Sequence, residues 1–386
     1  MKYFLCAGEA SGDLHASHLI RALRDNDSEA VFSFLGGDMM AESAGCRPLI
    51  HYNRMAFMGF SEVLRHLPEV LGNLRQAKDM IDKAAPDALI LVDYPSFNLK
   101  LAAYAHSRKI PVYYFISPKV WAWKEHRVRQ IRRYVKRVFC ILPFEVSFYK
   151  KRHDYEVDYV GNPSVAEVAC AIAQMPTRDR FAADCELDAG KRWIALVPGS
   201  RKGEIRNNLP IMLQAAAIAA KNDKNIVPVV TAAPGIDNSF YTAFMPENVK
   251  LLRDNTLGLM HYSEAALVTS GTATLECALA DTPQVVCYRA NGSRLSYRIM
   301  ERILKVDHVS LPNLIAGRQI IPEMLVHLCT PQLVAAQLQP LLADTPQRLA
   351  QLDGYTLMKS VLGTSDCFQT TAKAIINDIS TCTLSL

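Results

Sequence analysis

Short apolar runs alternate with amphipathic stretches along most of the chain. The apolar runs end in glycine or polar residues and predict buried strands, whereas the stretches between them have apolar residues at helical spacing. The predicted strands cover residues 2–7, 31–36, 88–92, 111–116, 137–142, 193–197, 226–231, 265–269 and 284–288. Because these strands alternate with helices, the pattern predicts parallel, doubly wound α/β sheets.

The alternation is interrupted once. Residues 162–192 are polar, alanine-rich and broken by prolines, and a new strand follows them. A chain of 386 residues also exceeds the usual size of a single core. We therefore predict a first domain over 1–165, a second over 190–345, and helices over 346–386 that pack back on an N-terminal domain. Whether that domain belongs to the same chain or to a homodimer partner stays open.

Composition narrows the class of protein. Half of the residues are hydrophobic and 21% are charged, which is typical of a globular enzyme. The ten cysteines form no CxxC pair and no metal-ligand spacing, which favours a reducing compartment. The first apolar run is too short for a signal peptide, and no run approaches the roughly 20 apolar residues that cross a bilayer. We predict a cytoplasmic protein, at most attached to a membrane surface, without a nucleic-acid partner.

Two loops at predicted strand ends suit phosphate groups, because ligands bind beyond the carboxyl ends of parallel strands. After strand 193–197, Gly199 permits close approach of the backbone, and Ser200 and Arg201 offer a hydroxyl and a planar fork of donors. Alone, this tetrapeptide is weak evidence, and a plain loop is the alternative.

The second loop follows strand 265–269. Small residues at Ser270, Gly271 and Thr272 open a helix, where free N–H groups and the positive end of the dipole favour a pyrophosphate. One turn further, the carboxylate of Glu276 either accepts bonds from ribose hydroxyls or is a surface group of the helix. Taken together, the two loops predict a nucleotide-diphosphate site.

Other cofactor sites find no support. The chain has neither GxGxxG after a strand nor GxxxxGK[ST], so a dinucleotide or P-loop site is not indicated. Residues 25–27 read DND and resemble a metal-binding DxD motif, but they end a predicted helix among polar residues, as a solvated terminus does. We predict no metal and no cofactor.

Acidic candidates follow the strands of the first half. Asp93 comes directly after strand 88–92, where a carboxylate that faces a cleft between the domains could take a proton from an attacking hydroxyl. The alternative is an aspartate that caps the next segment. Glu9, in the loop after the first strand, is expected to face the same cleft.

Residues 55–74 have an unusually apolar helical stripe that includes Phe57, Met58, Phe60 and Leu64. Most such helices cover a core, and the alternative is a surface that accepts acyl chains or enters a membrane.

Residues 119–137 are strongly basic. Arg127 and Arg132 belong to this patch, and Trp121 and Trp123 adjoin it. A solvated helix face is one interpretation, and a site for phosphate or an anionic membrane surface is the other.

Eight motifs resemble one known family, the lipid-A-disaccharide synthases, which are GT-B glycosyltransferases of family 19. The motifs are AGEASGD at 7–13, MGFSEVL at 58–64, DYPSFN at 93–98, SPKVWAW at 117–123, LPFE at 142–145, PGSR at 198–201, SGTATLE at 270–276 and SLPNL at 310–314. They keep the order of the family and span nearly the whole chain. The resemblance implies two Rossmann-like domains that face each other across a cleft.

The resemblance also implies a reaction. Family members transfer 2,3-diacylglucosamine from its UDP derivative to 2,3-diacylglucosamine 1-phosphate, which gives the β-1,6-linked lipid A disaccharide 1-phosphate and UDP, with inversion at the anomeric carbon. Asp93 then corresponds to the general base and Glu9 to a cleft position. The chain departs from many members in having Pro95 and Ser96 where a second acid is common, which weakens a two-acid mechanism.

On the donor side, the resemblance assigns charge stabilisation on the leaving diphosphate to Arg201 and the N–H groups of Gly271 and Thr272. Glu276 would hold the ribose, and Asn313 would contact the nucleotide. The implied location is peripheral, on the cytoplasmic face of the inner membrane. Two alternatives stay open: a UDP-N-acetylglucosamine 2-epimerase, and a non-catalytic lipid-binding or membrane-scaffolding protein.

Overall fold

The computed structural model describes residues 1–55, 67–122, 124–289 and 308–383. The chain forms two compact units. The first unit comprises Met1–Pro163 and Thr364–Leu386, and the second comprises Ser164–Gly363. Each unit contains one parallel sheet, which confirms the prediction of two doubly wound α/β domains.

The sheet of the first unit has seven parallel strands in the order β3-β2-β1-β4-β5-β6-β7. The strands are β1 (Lys2–Ala7), β2 (Val31–Gly36), β3 (Ile50–His51), β4 (Ala88–Val92), β5 (Val112–Phe115), β6 (Arg137–Cys140) and β7 (Asp158–Tyr159). The strand order reverses between β1 and β4, whose last residues Ala7 and Val92 are paired. This reversal is the switch point at which ligands bind in doubly wound sheets.

Helices cover both faces of this sheet. They span Ala10–Asn26, Asp38–Ala44, Leu67–Ala84, Pro95–Ser107, Val128–Tyr134, Pro143–His153 and Cys367–Thr383, with 3₁₀ turns at Tyr52–Arg54 and Glu125–Arg127. Successive residues of β4 enter different cores: Leu89 and Leu91 pack in one, and Ile90 packs in the other. Both sides of the strand are therefore buried, which explains why its sequence is continuously apolar.

The sheet of the second unit has six parallel strands in the order β10-β9-β8-β11-β12-β13. The strands are β8 (Arg192–Val197), β9 (Ile226–Ala232), β10 (Lys250–Arg253), β11 (Ala265–Thr269), β12 (Gln284–Tyr288) and β13 (Glu323–Leu325). Here the order reverses between β8 and β11, where Val197 is paired with Val268. The helices are Pro163–Ala173, Arg178–Asp184, Lys202–Ala219, Asn238–Thr242, Thr256–Tyr262, Thr272–Leu279, Leu311–Ala316, Pro331–Leu338 and Pro346–Leu362, with a 3₁₀ turn at Gln339–Leu342.

The two C-terminal helices belong to different units. Helix Pro346–Leu362 is fixed to the second sheet because Gln351 Oε1 accepts the Gln284 N–H at 2.5 Å and Gln351 Nε2 donates to the Gln284 carbonyl at 3.1 Å. Helix Cys367–Thr383 instead joins a core of the first unit through Ile375. The sequence treated 346–386 as one segment because buried glutamine bonds to a distant strand have no local signature.

The strands that the sequence missed are β3, β7, β10 and β13. All four are the outermost strands of their sheets, and each has at most four residues. A period of two cannot be recognised over so few positions, and an edge strand needs less apolar character than a central one. The predicted central strands agree with the structure to within two residues at either end.

The DND sequence at 25–27 has structural partners. Tyr3 Oη donates to the Asp27 carboxylate at 3.1 Å, and Asn26 Nδ2 donates to the Gln369 side chain at 2.8 Å. The interpretation as a merely solvated helix terminus was therefore incomplete, because the tyrosine partner comes from β1. Within the described ranges, no helix has the length and apolar character needed to cross a membrane.

Candidate active site

Asp93 lies at the switch point of the first sheet. It follows β4 directly, and the Ala7–Val92 pairing brings the Gly8–Glu9 turn alongside it. Asp93 and Tyr94 have φ values of 42° and 46°, in the left-handed region that non-glycine residues seldom adopt. Such strain costs about 1–3 kcal/mol per residue and persists only where surrounding contacts enforce it.

The surrounding contacts converge on one carbonyl group. Asn98 Nδ2 donates to the Asp93 carbonyl oxygen at 2.8 Å and to that of Val92 at 3.2 Å. Tyr114 Oη donates to the Asp93 oxygen at 2.6 Å. Asn98 and Tyr114 are buried, so these bonds are shielded from water. The backbone of Asp93 is thus fixed at the end of β4.

Tyr94 fills the space between the two loops. Its hydroxyl donates to the Met55 carbonyl at 2.6 Å. A Cβ at Gly8 would lie 2.3 Å from the ring, so only glycine fits there. Burial, followed by the nearby Cys6 and Glu9, raises the pKa of Tyr94 to about 12. Glu9 therefore lies near Tyr94, on the first loop of the site.

Burial also changes the acidity of Asp93. Desolvation raises the pKa of its carboxyl above the ordinary value, against the opposing effects of Lys119, the Tyr94 N–H group and His15. A raised pKa makes the carboxylate a stronger proton acceptor near neutral pH. His15 and Lys119 were not selected from sequence as partners of Asp93, because a histidine in a helix and a lysine in a basic patch have no distinctive local pattern.

Glu145 is a second acid that sequence analysis did not select. It is 1% exposed, and Trp121 Nε1 donates to its Oε1 at 3.2 Å. Burial raises its pKa to about 8, against the Leu142 N–H, Trp121 and Lys119; the charge of Asp93 adds to the increase. The LPFE motif was the available signal, but its glutamate resembles an ordinary helix-start residue.

Three of the predicted acceptor residues lie in the part of the chain that the structure describes. Arg127 Nη2 donates to Ser96 Oγ at 2.9 Å and so contacts the segment after Asp93. Arg132 Nη1 donates to the His153 carbonyl at 3.3 Å. Trp121 packs edge-on against Phe144, with ring centroids 5.0 Å apart. The remaining predicted residues, Phe57, Met58, Phe60, Leu64 and Trp123, lie outside the described residues.

The first predicted phosphate loop of the second unit is shaped by Glu204. Gly199 has a φ of 113°, and a Cβ there would lie 2.6 Å from Glu204 Oε2. The same oxygen accepts the N–H groups of Ser200 at 3.1 Å and Arg201 at 3.3 Å. Arg201 Nη1 donates to Glu204 Oε1 at 3.2 Å, yet its side chain stays 72% exposed. Its guanidinium thus remains accessible to a ligand.

The second loop follows the neighbouring strand β11. Gly271 and Thr272 are exposed at the start of helix Thr272–Leu279, which Thr274 stabilises by donating its hydroxyl to the Gly271 carbonyl at 2.7 Å. Ser270 Oγ donates to the Val309 carbonyl at 3.1 Å. Because β8 and β11 are adjacent, the two predicted phosphate loops emerge side by side at the second switch point.

Glu276 is partly buried on this helix. Desolvation raises the pKa of its carboxyl, and the nearby charge of Glu167 raises it further. Glu276 is therefore partly desolvated on the helix that follows the second loop.

Asn313 is fully buried, with all of its amide groups paired inside the protein. Its Oδ1 accepts the N–H groups of Ile320 at 2.7 Å and Ile321 at 2.9 Å. Its Nδ2 donates to Glu323 Oε1 at 2.8 Å, and the same oxygen accepts the Ser310 N–H at 2.9 Å. Asn313 thus holds the 308–313 segment against β13.

Comparisons with known sequences agree with one another. A family model described as lipid-A-disaccharide synthetase matches residues 3–376. The lipid-A-disaccharide synthase of Acidobacterium capsulatum is 37% identical over 374 residues, which covers 94% of this chain and 92% of that protein. The corresponding protein of Myxococcus xanthus is 36% identical over 378 residues, which is 97% of each chain.

Solved structures share the architecture at low identity. The UDP-GlcNAc 2-epimerase from Neisseria meningitidis bound to UDP-GlcNAc has a TM-score of 0.64 at 12% identity, covering 99% of this chain and 100% of that one. The calicheamicin glycosyltransferase CalG4 has a TM-score of 0.56 at 13% identity, covering 97% of each chain.

Two Rossmann-like sheets, each with its candidate residues at a switch point, place the protein in the GT-B class that glycosyltransferases share with UDP-GlcNAc 2-epimerases. Within that class, sequence identity over most of the chain distinguishes the family. The chain belongs to the lipid-A-disaccharide synthase family. It is an enzyme of lipid A biosynthesis, a glycosyltransferase, as the sequence predicted.

Proposed function

We propose that the protein is an inverting transferase that joins UDP-2,3-diacylglucosamine to 2,3-diacylglucosamine 1-phosphate. The 6-hydroxyl oxygen of the acceptor forms a bond to the anomeric carbon of the donor as the bond from that carbon to UDP breaks. The hydroxyl proton passes to a carboxylate, and UDP leaves with the electron pair. The products are the β-1,6-linked disaccharide 1-phosphate and UDP.

The partly buried carboxyl of Asp93, attached to a strained backbone, is the observation that carries this proposal. Its backbone is held by Asn98 and Tyr114, and burial raises its pKa. A fixed carboxylate with a raised pKa is suited to general-base catalysis. Glu9 is the next candidate, because it lies near Tyr94 on the neighbouring loop.

The donor chemistry is assigned to the second unit. The exposed guanidinium of Arg201, the Ser200 side chain and the N–H groups at the start of helix Thr272–Leu279 would stabilise the leaving diphosphate. Glu276 would accept hydrogen bonds from the ribose. Since the amide of Asn313 is fully used within the protein, we propose that it orders the loop beside Ser270 instead of contacting the nucleotide directly.

The acceptor and the membrane surface are assigned to the first unit. Phe57, Met58, Phe60 and Leu64 are proposed to contact acyl chains, as are Trp121 and Trp123. Arg127 and Arg132 are proposed to attract phosphate or anionic lipid, which would keep the protein on the cytoplasmic face of the inner membrane. Binding to anionic liposomes, measured by flotation, should then weaken as the salt concentration rises. Binding that does not depend on salt would contradict the proposed role of the arginines.

The test is UDP release from UDP-2,3-diacylglucosamine in detergent, with and without the acceptor. Asp93→Asn is the informative variant, because asparagine tolerates the left-handed backbone better than most residues and so preserves the loop. We expect release to depend on the acceptor and to fall at least about 10²-fold in the variant. Asp79→Asn, an exposed carboxylate on helix Leu67–Ala84, is the matched control.

Each outcome has a distinct meaning. Acceptor-dependent release that Asp93→Asn leaves intact would move the base to another group, with Glu9 tested next. A folded protein that releases no UDP, or that acts on UDP-N-acetylglucosamine without an acceptor, would refute the transferase reaction and favour the epimerase or scaffold alternatives.

A further inference from the structure

The carboxyl of Glu145 is buried at the carboxyl edge of the first sheet. It lies in the first turn of helix Pro143–His153, directly after β6. Its Oε1 accepts the indole N–H of Trp121 at 3.2 Å, and its Oε2 accepts the Leu142 N–H at 3.3 Å. Trp121 follows β5, so this carboxyl connects the loops that leave two neighbouring strands.

Helix capping accounts for only half of this arrangement. A glutamate in the first turn often accepts the N–H that precedes the helix, and Leu142 supplies that group. Such a role does not require burial, and Glu145 is only 1% exposed. The second oxygen is used for the indole, and burying a carboxyl is costly unless its hydrogen bonds are made. The contact with Trp121 therefore needs its own explanation.

The indole of Trp121 is held on two sides. Phe144 packs edge-on against it with an interplanar angle of 86°, and Glu145 binds its nitrogen. The ring itself remains partly exposed. A flat apolar surface in a fixed orientation suits an apolar sugar face or an acyl chain better than a freely rotating side chain does.

Glu145 interacts electrostatically with Asp93. Lys119 lowers the pKa of both carboxyls, and the charge of Asp93 raises the pKa of Glu145. Cys140 and Tyr149 are further titratable groups that interact with Glu145. Burial raises the pKa of Glu145 to about 8, which favours the neutral acid near neutral pH and so reduces the negative charge beside Asp93.

We propose that Glu145 is a positioning residue that fixes the Trp121 indole for contact with the acylated sugar acceptor. The inference rests on the proposed function, because it assumes that the acceptor binds near Asp93. To the proposed function it adds Glu145 and a physical role for that residue. The two carboxyl oxygens hold two donors from different loops, so that the indole keeps one orientation.

Enzyme kinetics with Glu145→Gln, Trp121→Phe and the double variant test the inference. The assays are run above pH 8, where Glu145 is ionised and both of its oxygens accept hydrogen bonds. An amide has one acceptor oxygen for the same two donors, so Glu145→Gln should weaken the hold on the indole. We expect each single variant to raise the KM for the acceptor about 10-fold, the effect of one lost hydrogen bond, with kcat within about 3-fold and the donor KM unchanged. The double variant should be no worse than Trp121→Phe alone. Glu156→Gln, an exposed carboxylate of the same unit, is the control.

A spectroscopic measurement reports the contact without turnover. The chain has three tryptophans, so a ¹⁵N-labelled protein gives three indole N–H signals, and Trp121→Phe identifies one of them. In the wild type, this signal should move with a midpoint near pH 8 as Glu145 ionises. In Glu145→Gln the same signal should not titrate.

These outcomes separate the inference from the proposed function. Additive losses in the double variant, a rise in donor KM instead of acceptor KM, or a Trp121 signal that titrates equally in Glu145→Gln would overturn the inference while the transferase remained active. A wild-type protein without acceptor-dependent UDP release would overturn the proposed function and the acceptor role of Trp121, whereas the titration would still decide the hydrogen bond.

Discussion

Replacing Gly8 by alanine tests the packing that holds Asp93. The new Cβ would lie 2.3 Å from the Cγ and Cδ1 atoms of Tyr94, so the ring must move by more than 1 Å to reach ordinary contact. Overpacking of this kind costs about 1–3 kcal/mol, and a displaced ring loses the bond from Tyr94 Oη to Met55, worth about 1 kcal/mol. We expect a free energy of unfolding that is lower by about 2–4 kcal/mol.

The loss of activity should be disproportionate to the loss of stability. Tyr94 is adjacent to Asp93, and both have left-handed backbones. A shift of the ring therefore moves the carboxylate, and a displacement of about 1 Å at a catalytic group can reduce the rate about 10²-fold. The assays are urea unfolding followed by circular dichroism, and acceptor-dependent UDP release under conditions where the variant is folded.

Gly12→Ala is the matched control. Gly12 lies in helix Ala10–Asn26, and the nearest atom to an added Cβ would be Ala7 Cβ at an ordinary 3.4 Å. This variant should be as stable as the wild type or up to about 1 kcal/mol more stable, because alanine is the better helix residue. A second check uses Tyr94→Ala, in which the added Cβ at Gly8 meets no ring and should cost nothing further. Gly8→Ala within about 0.5 kcal/mol of wild type, with full activity, would refute the reasoning.

Three further predictions concern buried polar groups. The pKa of Glu145 is about 8 in the folded protein and 4.5 ordinarily, so its contribution to stability is present below pH 4.5 and is lost as pH rises through 8. Between pH 5 and pH 8, the free energy of unfolding of the wild type should therefore fall relative to that of Glu145→Gln, by at most about 5 kcal/mol. Urea unfolding at several pH values measures this difference, and a difference that does not change with pH would contradict the prediction. Asp13 accepts the N–H groups of Gly37 at 2.6 Å and Met39 at 3.1 Å at the start of helix Asp38–Ala44. Asp13→Ala should therefore lower the free energy of unfolding by about 2 kcal/mol. A variant that unfolds in urea like the wild type would exclude a capping role. Asn313→Ala leaves the buried N–H groups of Ile320 and Ile321 unpaired, so it should lower the free energy of unfolding by about 2–4 kcal/mol in the same assay. It should also raise the KM for the donor. An unchanged donor KM would show that donor binding does not need the ordered loop.

The local sequence pattern was sufficient to predict the central strands and to select the residues that follow them. Both sides of β4 are buried, so its five residues are all apolar, and the change to Asp93 marks its end. The edge strands β3 and β13 are too short to show a pattern, and they were missed for that reason.

The sequence proposed Asp93, Arg201 and Glu276 because polar residues after apolar strands are easily recognised. It did not propose Glu145, whose distinguishing features are burial and a partner 24 residues away. It predicted that Asn313 contacts the nucleotide, although the side-chain amide of Asn313 is hydrogen-bonded to Ile320, Ile321 and Glu323. Side-chain partners of this kind depend on how the loops meet, which no local pattern records.

The chain by itself determined the alternation of strands and helices, the two-domain α/β class, and the family, because these follow from periodicity and from motifs that are contiguous in sequence. Tertiary structure decided which strand ends are neighbours. β1 and β4 are separated by two other strands in the chain, yet Ala7 pairs with Val92, and β8 and β11 meet in the same way. Hydrogen bonding between parallel strands sets that order, and it places the Gly8 and Asp93 loops, and the Arg201 and Gly271 loops, side by side.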